Sequence, residues 1–302
     1  MKVDLNYDKF FDKITENHIK NIIIFSSNDI WKKKQNYNKI NTEEHLIWEK
    51  LYKQNFLLAY TYGSEIYKEG LRIFNQEIPS YSKKIPNLNV ISKILKKYTG
   101  WKIQPVSGFV DEIIFFKLLS KCYFPSSDII RLSKKFSNKY KKIKIKNNLH
   151  YTPEPDIFHE IFGHAPFLLN KDYCLLLKKI GKLGVEIINQ KNMSEKLITH
   201  NLKRLQNFVW WTLEFGVILN KKNNTFEFIG AGILSSYDEM KNLINFLKDK
   251  TTSKIQPYEI ETIIFKQFDY SKLQNKYFYI ETFDKLTEDF ITNKEKFLYR
   301  GY

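Results

Sequence analysis

The chain has 302 residues, is 43% hydrophobic and 16% aromatic, and carries a formal net charge of +16, so it can bury the core of one large domain or two ordinary ones. No apolar run reaches the roughly 18 residues of a membrane span, and the charged start MKVDLNYDKFFDKITENH lacks the apolar stretch of a secretory signal. Two cysteines, Cys122 and Cys174, are too few and too far apart for a disulfide framework or a cysteine-based zinc site. The expected setting is therefore a reducing cytoplasm, with no membrane partner. No nucleic-acid partner is expected either: the lysines are spread along the whole chain, without a zinc finger, basic zipper or aromatic RNA-binding signature.

In chain order, residues 1–40 are polar and rich in Lys and Asn, and read as an N-terminal arm with one strand at the apolar patch NIIIFSS. Residues 41–302 read as one domain, mainly α with small antiparallel β elements. Thr42 with Glu43 and Glu44 opens a helical stretch whose apolar residues Leu46, Leu51, Phe56 and Leu57 recur at helical spacing. IPNLNVISKILKKYTG repeats the pattern, with Val90, Ile91, Ile94 and Leu95 apolar and Gly100 as a stop. DEIIFFKLLSKC reads as another amphipathic helix. After YFPSS, the tail KKIKIKNN alternates as a strand does and ends in a turn-like Asn pair. From 150 to 250 helix follows helix, with a break at LNKKNNTFEFIGAGILSS, where TFEFIG alternates behind an Asn-Asn turn. KYFYIETFDKLTEDFITNKEKF closes the chain as a strand running into a helix.

The chemistry concentrates in YTPEPDIFHEIFGHAPFL, Tyr151 to Leu168. Pro153 and Pro155 block a helix upstream; Pro155 suits a first turn, and Glu154 or Asp156 can cap it. His159 and His164 are five positions apart, which on an ideal α-helix leaves them about 140° apart around the axis. They do not share a face as the i,i+4 pair of a zinc protease does. A shared ion requires a distorted turn, for which Gly163, followed by Ala165 and Pro166, is the natural place, and Glu160 is left to act beside the ion. Downstream, Glu214 is the only charge in the apolar run NFVWWTLEFGVILN. A buried carboxylate is costly unless paired or bound to a metal, so Glu214 either pairs with a cation such as Arg204 or is a third ligand. Two imidazoles and a carboxylate suit Fe(II) with positions open to oxygen and water. Zinc takes the same ligand types, which keeps a zinc-dependent hydrolase with Glu160 as base as the alternative. Arginine is scarce here (Arg72, Arg131, Arg204 and Arg300), and a retained arginine hints that its planar fork is used.

PEPDIFHEIFGHAPFL, followed by WWTLEFG and GAGILSS, resembles the pterin-dependent aromatic amino acid hydroxylases, whose members hydroxylate phenylalanine, tyrosine or tryptophan. NTEEHLIWEKLYKQ, IPNLNVISKILKKYTGWKIQPVSGFV and DEIIFFKLLSKCYFPSSDIIR extend the resemblance upstream, most closely to single-domain bacterial phenylalanine hydroxylases. It runs from about residue 42 to about residue 290. It implies non-haem Fe(II) held by His159, His164 and Glu214, with tetrahydrobiopterin or a related tetrahydropterin as electron donor and O2 as co-substrate. It places the pterin near Gly108, Phe109 and Val110, stacked on Phe115, with Glu160 beside it as a catalytic group. It places the amino acid's carboxylate on Arg131, helped by Thr152 and Ser235, and its ring against Trp210 and His159, with Pro155 and Gly232 nearby. Trp210 favours phenylalanine or tyrosine over tryptophan, and the residues around Asp269 and Tyr270 help to choose. By the same resemblance the chain has no room for the animal enzymes' regulatory domain or tetramerising helix, so a monomer or weak dimer is expected.

One departure stands beside the substrate arginine. Tyr151 follows Arg131 by 20 positions, a longer spacing than the family pattern, and the extra SKKFSNKYKKIKIKN is polar and basic. Either it lengthens a surface hairpin and leaves Arg131 in place, or it moves Arg131 and a lysine meets the carboxylate instead.

Overall fold

The computed structural model describes residues 32–106, 110–140, 155–248, 254–270 and 272–300. The NIIIFSS patch, the KKIKIKNN tail, Gly108, Phe109 and Thr152 lie outside the described residues. No helix among the described residues is long and apolar enough to cross a membrane.

The first helical stretch is two helices. α1 spans Thr42–Tyr62, and its cap is Asn41, one residue before the expected opening: Asn41 and Glu44 satisfy each other's backbone N–H groups in a capping box. Its buried stripe is Trp48, Leu51, Tyr52, Asn55 and Ala59. Leu46 and Leu57, expected on the apolar face, lie 58% and 71% exposed, because the stripe falls on the opposite side of the helix. Gly63 ends α1, and α2 follows at Glu65–Glu77. α3, Leu88–Tyr98, is capped by Asn87 and stops at Gly100, whose φ of +82° favours glycine. α4, Glu112–Ser120, is capped by Asp111 and buries most of its circumference rather than one face.

The β elements are mixed rather than antiparallel, which corrects the expectation from sequence. β1 (Lys102–Val106) and β2 (Tyr123–Ser127) pair in parallel. β3 (Gly216–Asn220) and β4 (Thr225–Phe228) form the expected hairpin, with Asn224 at φ +49° in its turn. β6 (Tyr277–Ile280) then pairs in parallel with both β3 and β5 (Ile255–Pro257), giving the order β4-β3-β6-β5. Parallel pairing needs a crossover connection that separates the partners in sequence, so local alternation cannot reveal it.

The histidine turn lies in the apolar core, packed against Ala231–Leu234 and β2, and the Phe167–Leu169 turn that follows packs on α2 and the helix Lys171–Ile188. α2 approaches the start of that second turn so closely that a Cβ on Gly70 would stand 2.1 Å from the Pro166 carbonyl oxygen. That oxygen is backbone and cannot swing away. Gly70→Ala is therefore expected to destabilise by about 1–3 kcal/mol, read as a lower denaturant midpoint at unchanged slope.

Candidate metal centre

His159–His164 is a π-helical turn. The Ala165 N–H reaches back five residues to the Glu160 carbonyl (3.0 Å), so the turn carries an extra residue. This overturns the 140° separation expected of an α-helix: the added residue brings positions five apart to one side, and the two Nε2 atoms lie 3.2 Å apart. The distortion is held from outside. Tyr81 and Tyr67, both fully buried, donate their hydroxyls to the carbonyls of Ile161 (2.8 Å) and Phe162 (3.0 Å). Gly163 packs against the backbone of Ala231, where a Cβ would meet the carbonyl oxygen at 2.9 Å. Tyr67→Phe with Tyr81→Phe frees two buried carbonyls and is expected to weaken metal retention by about 10–100-fold, measured by chelator competition.

Glu214 ends a second π-helical turn, Trp210–Glu214, closed by the Phe215 N–H on the Trp210 carbonyl (2.8 Å). Its carboxylate lies 2.9 Å from His164 Nε2 and 3.5 Å from His159 Nε2. Arg204, the cation considered for it, instead donates to His200 Nε2 and the Lys296 carbonyl. Glu160 offers a further carboxylate within 4.8 Å of the two imidazoles, but the shorter contacts belong to Glu214.

Two imidazole nitrogens and the two oxygens of one carboxylate converge, with contacts of 2.9, 3.2 and 3.5 Å. Bonds of about 2.1 Å to one ion, at angles of 90–110°, separate neighbouring donors by about 3.0–3.4 Å. The hydrogen bonds agree. Ser235 Oγ donates to the Ala231 carbonyl (2.8 Å) and lies 2.8 Å from His159 Nδ1. With its proton so committed, the hydroxyl accepts from Nδ1–H, and the His159 Nε2 lone pair faces the centre. Burial pushes His159 down to about 4, so the imidazole is neutral, the form that ligates. Burial raises Glu214, but His164 and His159 outweigh it and hold the carboxyl below its usual range. Burial, with Glu214 and Asp156 adding to it, raises Glu160 well above its usual range. The residues fit a divalent ion.

Around this centre, Arg131 is 2% exposed and forks onto Asp156, with Nη2 to Oδ1 at 2.7 Å and Nε to Oδ2 at 2.9 Å. Asp156 Oδ1 also accepts from the His159 N–H (3.0 Å), so one carboxylate ties Arg131 to the start of the histidine turn. Arg131 Nη1 reaches the Ser235 carbonyl at 3.4 Å, beside the serine that orients His159. Pro155 precedes this turn, half-buried. Gly232 donates its backbone N–H to Glu214. Phe115 is half-buried against Phe124, whose ring packs on His164 at 4.8 Å; Val110 lies beyond, near α4. Trp210 is stacked on Phe268 at 4.0 Å and 9°.

Sequence reasoning missed Asp156 as the partner of Arg131, although it named Asp156 as a capping acid. It missed Phe124 and Phe268, which no local pattern distinguishes from core aromatics.

The description of the biopterin-dependent aromatic amino acid hydroxylases matches residues 3–300. The chain belongs to this family. Among its hydroxylase relatives, the chloroplastic phenylalanine 4-monooxygenase of Pinus taeda is 32% identical over 248 residues, which is 82% of this chain and 60% of that enzyme. The tyrosine 3-monooxygenase of Schistosoma mansoni is 28% identical over 223 residues, 74% of this chain and 42% of that enzyme. A crystal structure of Chromobacterium violaceum phenylalanine hydroxylase, with bound iron(III) and oxidised 7,8-dihydrobiopterin, superposes with a TM-score of 0.70 at 26% identity, covering 89% of this chain and 86% of that one. The fold is thus that of the hydroxylase catalytic domain, with the mixed sheets described above.

Proposed function

We propose that this hydroxylase is a non-haem Fe(II), tetrahydropterin-dependent monooxygenase that converts L-phenylalanine to L-tyrosine with O2. The observation that carries the reading is the convergence of His159, His164 and Glu214 from two π-turns, with each pair of side chains in contact at 3.5 Å or less. Relatives named for phenylalanine support the substrate, and the iron and dihydrobiopterin of the Chromobacterium violaceum enzyme support the cofactors. Iron held by these ligands, with a reduced pterin, supplies the electrons and the oxygen activation that ring hydroxylation requires.

The chain's own residues then have distinct tasks. Ser235 holds the His159 tautomer that leaves Nε2 free. Arg131, held in place by Asp156, keeps further N–H groups for the substrate carboxylate, with Thr152 and Ser235 helping. Trp210 forms the wall against the substrate ring, with Pro155 and Gly232 at its edge. Gly108, Phe109, Val110 and Phe115 form the pterin side. Glu160, whose carboxyl burial raises well above its usual range, can hold or release a proton there. The rings of Phe115, Phe124 and Phe268 exclude water while the reactants are held together. Arg131 beside Ser235 supports the arrangement in which the basic insertion leaves it in place.

Phenylalanine, tyrosine and tryptophan supplied in parallel with Fe(II), a tetrahydropterin and O2 test this directly. Tyrosine from phenylalanine at the highest kcat/KM is the expected result. Preferred conversion of tyrosine or tryptophan would overturn the substrate assignment.

A further inference from the structure

The tasks above leave the buried carboxylate of Glu239 unused. Glu239 is fully enclosed in the first turn of the helix Tyr237–Lys248, and among the described residues no cation pairs with it. Burial pushes its carboxyl up to about 7, against the pull of its hydrogen bonds from Tyr277 and Gln274. The Tyr277 hydroxyl donates to Oε1 at 2.6 Å, and the Gln274 N–H donates at 3.0 Å. Asn242 Nδ2 closes the loop by donating to the Gln274 carbonyl and the Tyr277 hydroxyl, each at 2.8 Å. The backbone of Gln274 is thus held on both sides.

Its side chain is held as fully, and it points at the site. Gln274 Nε2 donates to the carbonyls of Asp269 (3.1 Å) and Lys272 (3.0 Å), while Oε1 receives the Trp210 indole N–H at 3.4 Å. The folded segment begins just after Phe268, whose ring lies flat on Trp210. A buried amide with every group committed fixes a unique geometry, because any rotation leaves a polar group unpaired. Glu239 also lies four residues beyond Ser235, so one short stretch of chain orients both His159 and this network.

We propose that Gln274, anchored by Glu239, is a positioning residue that sets the attitude of the Trp210–Phe268 pair and thereby which aromatic ring the site accepts. This rests on the reading of Trp210 as the wall of the substrate pocket. A mere staple for the loop would affect stability alone.

The test uses Gln274→Leu, which removes the amide at similar size, and Glu239→Gln, which keeps an acceptor for Tyr277 and Gln274. The first readout is independent of activity. On the full chain with zinc in the site, the Trp210 indole N–H resonance, identified by its loss in Trp210→Phe, is followed for solvent exchange. In Gln274→Leu this exchange is expected to accelerate about tenfold, with smaller effects on the other four tryptophans. The second readout is the ratio of kcat/KM for phenylalanine to that for tryptophan, expected to change about tenfold and mainly through KM, while Glu239→Gln keeps the parent ratio. A lower melting temperature in Gln274→Leu with exchange and ratio both unmoved would overturn the proposal. If the parent protein hydroxylates none of the three amino acids, the proposed function falls. The indole exchange then decides the positioning alone, and an unmoved resonance overturns it.

Discussion

Glu214→Gln is expected to cost at least a hundredfold in iron affinity and to abolish hydroxylation, with the fold intact. The amide preserves the shape of the side chain and removes its charge. It also puts an N–H₂ group into contact with imidazole nitrogens that stand 2.9 and 3.5 Å from the carboxylate oxygens. Changes to groups that only orient a metal ligand cost about 10–100-fold, so loss of a direct ligand costs more. His164→Ala is expected to act in the same direction, because its Nε2 is the donor closest to Glu214. Iron content after desalting, with circular dichroism as the check on folding, measures both. Full turnover by either variant would contradict the ligand assignment.

The largest effect on stability is expected at Asp156. Asp156→Ala leaves Arg131 buried at 2% exposure without its counter-charge, and frees the His159 N–H as well. Breaking a buried pair by removing one partner costs about 3–5 kcal/mol. Chemical denaturation should show a loss of that size, and the variant should also retain metal less well because the histidine turn has lost its anchor. The pair also has a pH signature. Burial opposes ionisation of Asp156, but the Arg131 charge and hydrogen bonds outweigh it and hold the carboxyl below its ordinary value. A carboxyl depressed in the folded state stabilises above its unfolded pKa, and that stability is lost as pH falls through the folded pKa. The parent protein should therefore lose stability on acidification below about pH 4 more steeply than Asp156→Asn.

Much of the site was legible because its chemistry needs particular residue types in a particular order. Two histidines flanked by acids, then one glutamate in an otherwise apolar run, are improbable as plain core. What the periodicity argument lacked was the π-turn. Counting at an α-helical 100° per residue sends His159 and His164 to different faces, whereas the actual turn takes up an extra residue. The hydroxyls that hold it, from Tyr67 and Tyr81, come from 95 and 80 positions away, and no local window contains them. The same limit explains Leu46 and Leu57, whose spacing fits a helix equally well on the face that α1 turns to solvent. It explains the parallel pairing of β6 with β3, set by distant returns of the chain. Caps and turns were read more closely, within one residue at Asn41 and at the turn that contains Asn224, because those signals are local.

The most direct test of the metal centre is stoichiometric titration of the metal-free protein with Fe(II) under anaerobic conditions, followed by one turnover with phenylalanine, tetrahydropterin and O2. The expected result is one tightly held iron per chain and formation of tyrosine, both lost in Glu214→Gln. Stoichiometric zinc that iron does not displace, with no hydroxylated product once iron and pterin are supplied, would contradict it.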